Sequence, residues 1–180
     1  MKAIGIKRKS DEKKQITGGK YLDLALYAFM GLGMEVVLAF LLEPMLYGVS
    51  MQAFSTGQTI AHWILTCLIW GIFAYVLIRR SGENYQFPLL ERGKAVRAWQ
   101  WVVCVLLIAF AFLMDYMAWD GFKVYLEWQR RGTLLFLFQY VYYLFETMLF
   151  LLIIVFGQKA CETWFHKTGF PYGGIICGLT

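Results

Sequence analysis

The chain is short of charge. Only 16% of its 180 residues are Asp, Glu, Lys or Arg, against 59% that are hydrophobic. A soluble domain carries roughly 25% charged residues, so the deficit points to lipid as the solvent. The four cysteines, Cys67, Cys104, Cys161 and Cys177, include no CxxC pair. Two of them fall within apolar runs, where a thiol packs as a small hydrophobe, so a disulfide framework and thiol-redox chemistry are both excluded. No ligand spacing such as HExxH is present, and nothing asks for a metal or another cofactor. Lys and Arg outnumber the acids 17 to 12, but they flank apolar runs. Nucleic acid is rejected as a partner, because no basic stripe with exposed aromatics exists. The first twenty residues are polar and predict no cleavable signal peptide.

What is present is a set of long apolar runs. About 20 helical residues cover a bilayer's hydrocarbon core. The pattern predicts an all-α fold, a polytopic transmembrane helical bundle with four full spans, at about 21–46, 57–78, 97–119 and 134–157. Pro44 is expected to end the first span, and Arg79-Arg80 the second. The connector after the third, with Tyr125 and Trp128, is expected to lie flat at the headgroups. The apolar tail, 170–180, is too short to span. It reads as a re-entrant piece or, preferably, as a fifth span that has been cut.

A basic arm, residues 1–20, carries Lys2, Lys7, Arg8, Lys9, Lys13, Lys14 and Lys20. Such a cluster anchors topology and attracts anionic lipid headgroups. With four spans, all 17 Lys and Arg except Lys123, Arg130 and Arg131 fall on one side. The positive-inside rule then puts both termini in the cytoplasm of a cell-membrane protein.

Polar residues inside the spans are the functional candidates, since an acid at bilayer depth costs several kcal/mol unless it meets a partner or a wet cavity. Near the middle of the fourth span lies Glu146, preceded on or beside one helical face by Gln139, Tyr142 and Tyr143. In the first span Asp23, Tyr27, Gly31, Glu35, Ala39 and Glu43 recur at i, i+4 and are expected to form one continuous row. In the second, Gln58, His62, Thr66, Trp70 and Ala74 repeat that spacing. Depth along the spans suggests two sets. Glu35 and Glu146, with Tyr143 and Gln139, form a midplane polar site; Glu43, His62 and Asp115 form a cluster nearer the outer surface. Acids around an imidazole relay protons, bind a cation or simply hydrogen-bond helices together. His166, in the polar tail, is expected to be a solvated interfacial residue.

The stretch FGQKACETWFHKTGFPYGGIICGLT, with Gly169, Phe170, Pro171, Tyr172, Gly173 and Gly174 forming its turn, resembles part of the CAAX-protease and bacteriocin-processing family of multi-span membrane proteins. The resemblance covers about 25 residues. The family's E-E-x-x-x-R motif is absent, with Ile153-Ile154 and Gln158 at the corresponding places, and its histidine motif would lie beyond Thr180. No catalytic residue carries over. The resemblance implies a relative of metal-independent or glutamate-dependent intramembrane peptidases and bacteriocin self-immunity proteins. The competing class is a small transporter-like or channel-like module that handles protons or cations through its intramembrane acids.

Overall fold

A computed structural model describes residues 16–91, 93 and 95–179. Most of the basic arm (residues 1–15), Arg92 and Lys94 of the second loop, and Thr180 lie outside the described residues. The helices are α1 (Gly18–Val37), a π-helical segment (Leu38–Leu42), α2 (Glu43–Tyr47), α3 (Thr56–Tyr85), α4 (Ala98–Trp119), α5 (Lys123–Phe165) and α6 (Tyr172–Leu179). There is no strand among the described residues, and the fold is an all-α bundle. Four helical rods, Gly18–Tyr47, Thr56–Tyr85, Ala98–Trp119 and Lys123–Phe165, are long and apolar enough to cross a membrane.

Three of them make the core. From α1 come Tyr21, Leu24, Ala25 and Ala28; from α3, Trp70, Ala74 and Leu77; from α5, Leu149, Ile153, Phe156 and Ala160. Lipid offers no hydrophobic drive for helices to meet, so contact comes from close approach of small residues and from hydrogen bonds. Both are visible. Trp70 donates its indole N–H to the Gly31 carbonyl at 2.9 Å, and a Cβ at Gly31 would sit 3.1 Å from the Phe73 ring. At the Gly18 and Tyr85 end, Tyr21 donates to the Tyr85 carbonyl at 3.0 Å.

The first rod does not bury a straight i, i+4 row. Four residues turn an α-helix by about 400°, so such a row drifts ~40° per step around the cylinder. Asp23 and Tyr27 are accordingly exposed, and the packed face is Tyr21, Leu24, Ala25, Ala28 and Gly31. Farther along, the π segment resets the drift. Its extra residue per turn brings Glu43 onto the packed face and leaves Leu42 exposed. Pro44 does not end the rod. It follows the π segment, whose wider turn accommodates its missing donor, and the helix closes four residues later at left-handed Gly48.

Helix α3 opens with a capping box. Gln58 N–H donates to Ser55 Oγ at 3.4 Å, and Ser55 N–H to Gln58 Oε1 at 2.8 Å. It continues past Arg79-Arg80 to Tyr85, supported by an exposed Arg79–Glu83 pair at 2.8 Å. The connector after α4 is helical and belongs to α5. It breaks from the long part of that helix at Gly132, whose φ of 74° and ψ of 164° suit glycine alone. Residues 123–131 thereby fold back, exposing Tyr125 and Trp128 and burying Glu127.

Helix α4 differs from the rest. None of its residues is buried, and its main neighbour is α5. At the other end of the chain, α6 lies on α5. A Cβ at Gly173 would strike the Ile154 carbonyl, and Gln158 Oε1 accepts from Gly173 N–H at 2.9 Å. The tail is thus a short helix held against protein at residues 172–179.

Candidate functional site

Apart from Ser81, near the Tyr85 end of α3, the buried polar side chains among the described residues gather in the half of the bundle nearer the Gly48–Ser55 loop. Glu43 (3% exposed), His62 (1%), Thr66 and Gln139 are all buried there. The imidazole of His62 stands between two carboxylates of the first rod. Its Nδ1 is 2.8 Å from Glu43 Oε2, and its Nε2 is 3.7 Å from Glu35 Oε1. Glu35 and Glu43 are two turns apart, ~12 Å along the axis. Their side chains reach toward each other, and the ring from α3 fills the interval. The π segment lies between them, which is what lets both acids face α3.

From α5, Tyr142 donates its hydroxyl to Glu35 Oε1 at 2.5 Å. Its ring packs on Trp70 with centroids 4.8 Å apart. Three helices therefore meet at one carboxylate. Next to this contact Gln139 donates to Tyr143 Oη at 2.6 Å and to Glu127 Oε1 at 3.4 Å, and Tyr140 donates to Glu127 Oε2 at 3.2 Å. The fold-back at Gly132 is what delivers Glu127 to these groups.

Above the cluster is a pocket of about 410 Å3, lined by Glu35, His62, Gln139, Tyr143, Gln52 and Arg131 among others. The Glu35 side chain is 26% exposed, whereas that of Glu43 is 4% exposed. One acid of the trio opens to the pocket and the other is sealed. Four buried polar atoms of the cluster stay without a hydrogen-bond partner among the described residues, Glu43 Oε1, His62 Nε2, Thr66 Oγ1 and Gln139 Oε1. Among the described residues no group of three His, Cys, Asp or Glu side chains is arranged to hold a metal ion. The reason is geometric, since the imidazole separates the carboxylates and the three do not converge on one point.

The expected grouping by depth is redrawn. His62 is not confined to an outer cluster apart from Glu35, because its second nitrogen faces that carboxylate. Asp115 is not with Glu43 and His62. It sits on exposed α4 and lines a separate groove with Lys123, Tyr140 and Tyr143, since α4 packs beside α5 and not into the core. Glu146 is half-buried and lies within electrostatic range of Glu35, yet forms no hydrogen bond or ion pair among the described residues. Gln139 donates to Tyr143 and to Glu127, and neither Gln139 nor Tyr143 bonds to Glu146. His166 is exposed and closes α5 in a left-handed conformation.

Glu127, Tyr140 and Arg131 were not among the candidates from sequence. The available signal was Gly132 after Arg130-Arg131, a turn marker that ends one helical segment and returns it onto the next.

No protein-family profile matches the chain, and comparison with curated proteins and with solved structures finds no match.

Proposed function

We propose that the chain is a membrane-embedded module that takes up and releases protons at Glu35, His62 and Glu43. The observation that supports this reading is the His62 ring, almost fully buried between one sealed carboxylate and one that opens to a polar pocket. An imidazole accepts a proton at one nitrogen while releasing one from the other, so it links a pocket-facing acid to a buried one. Hydrogen bonds between helices in a membrane average only ~0.6 kcal/mol, a poor return for burying two acids and a histidine. Orientation follows the positive-inside rule, with both termini cytoplasmic in the cell membrane and the pocket facing outward. Reporter fusions after Arg80 should be cytoplasmic and fusions near Ser50 external. A cytoplasmic signal at Ser50 would reverse the side of access.

The test is proton uptake by the chain reconstituted in vesicles. Outside acidification should load the wild type, as read by a pH-indicator dye, and Glu35→Gln and His62→Gln should abolish the signal. Equal uptake by all three would refute the reading. Glutamate-dependent hydrolysis, implied by the sequence resemblance, is a second reading favoured by one feature. Glu35 opens into the same pocket as the donors Arg131 and Tyr143. There the carboxylate takes a proton from water and the donors stabilise the oxyanion. Cleavage of leader-peptide substrates that disappears in Glu35→Gln would select it.

A further inference from the structure

A second cavity, of about 480 Å3, runs between α3 and α5 and carries no charged residue in its lining. Along α3 it extends from Trp63 to Tyr75, ~18 Å at the helical rise, and so parallel to the bilayer normal. Gly71 leaves it open. A Cβ there would already stand 3.0 Å from Phe145 Cε1, so any larger residue would narrow the channel. Its head is Trp63, which also lines the polar pocket. Over that ring, 5.9 Å from its centroid, lies the Arg131 guanidinium, which forms no ion pair with any described residue. The groove therefore has an unpaired cation at its end nearer the Gly48–Ser55 loop and apolar walls below it, whereas Arg79, beside Tyr75 at the other end, is paired with Glu83 at 2.8 Å.

We propose that this groove holds one acyl chain of an anionic phospholipid from the leaflet at the Gly48–Ser55 end, with its phosphate paired to Arg131. A guanidinium fork matches phosphate oxygens, and its stacking on Trp63 sets the plane in which it presents them. The match is of both length and charge. A chain seated along α3 places its headgroup at Trp63, where the free cation is. This lipid site does not depend on the protonation of Glu35 or His62.

The experiment uses the full chain in phosphatidylcholine nanodiscs titrated with phosphatidylglycerol, with retained lipid read by native mass spectrometry. One phosphatidylglycerol should be held about fivefold over phosphatidylcholine, the preference expected of one basic side chain at the surface. Arg131→Gln should remove the preference. Leu68→Trp, at a lipid-facing wall residue 59% exposed and so not a threat to folding, should displace the bound lipid. Glycerol phosphate, which has the headgroup charge but no chain, should not compete. Equal retention of the two lipids, a preference that survives Arg131→Gln, retention unaffected by Leu68→Trp, or competition by glycerol phosphate would each overturn the proposal.

Discussion

In the half of the bundle nearer Tyr85, the three core helices present Leu24, Ala25, Ala28, Ala74, Leu77, Ile153 and Phe156, and the buried Ser81 hydroxyl there donates to the Ile78 carbonyl at 2.7 Å. In the half nearer the Gly48–Ser55 loop, the same helices present Glu35, Glu43, His62, Thr66, Gln139 and Tyr142. Trp70 stands between them, its ring against Tyr142 and its N–H on the Gly31 carbonyl. The contrast separates two jobs. One half holds the helices together by close packing, which is what lipid-embedded helices require. The other leaves Glu43 Oε1 and His62 Nε2 without hydrogen bonds, an arrangement that packing alone would not favour.

If the packed half carries stability, Trp70→Ala should have the largest effect. Loss of a buried indole costs ~3–5 kcal/mol, and the Gly31 carbonyl loses its donor. Thermal unfolding in detergent measures it, and a loss below ~1 kcal/mol would erase the distinction between halves. Next is Gly132→Ala, which forces a side chain into a backbone region reserved for glycine at ~1–3 kcal/mol. It should also free residues 123–131, seen as faster tryptic cleavage at Arg130 and Arg131. Glu35→Gln should change stability by no more than ~1 kcal/mol, because the amide oxygen still accepts from Tyr142. A loss of several kcal/mol would make the site a structural clamp. Thr66→Val should be the smallest, neutral or slightly stabilising, since the buried Oγ1 has no partner to lose.

The four spans were legible because apolar length is a one-dimensional property, and the bundle needs little else to be recognised. Of the row Gln58, His62, Thr66, Trp70 and Ala74 the last four are buried on the regular part of α3, while Gln58, in the capping box, is half-buried. The other row held at Gly31, Ala39 and Glu43, which are buried, and failed at Asp23 and Tyr27, which are exposed. An i, i+4 row drifts ~40° per step, so on a long rod its far end leaves the packed face, and the π segment that realigns Glu43 leaves no mark in the sequence except the nearby Pro44. Glu127 was illegible because its burial depends on a reversal of direction at Gly132. Asp115 resembled the other intramembrane acids in depth, but depth does not say which helices touch, and α4 stands outside the core.

The central claim is that His62 and its two carboxylates exchange protons with the pocket. It is tested most directly by nitrogen NMR of the His62 imidazole in the membrane-reconstituted chain, as the pH on the pocket side is stepped between about 5 and 8. The account predicts that both ring nitrogens change their shifts with that pH, and that Glu35→Gln moves the pH at which they do so. Ring signals that stay constant over the whole range, or respond identically in Glu35→Gln, would contradict it.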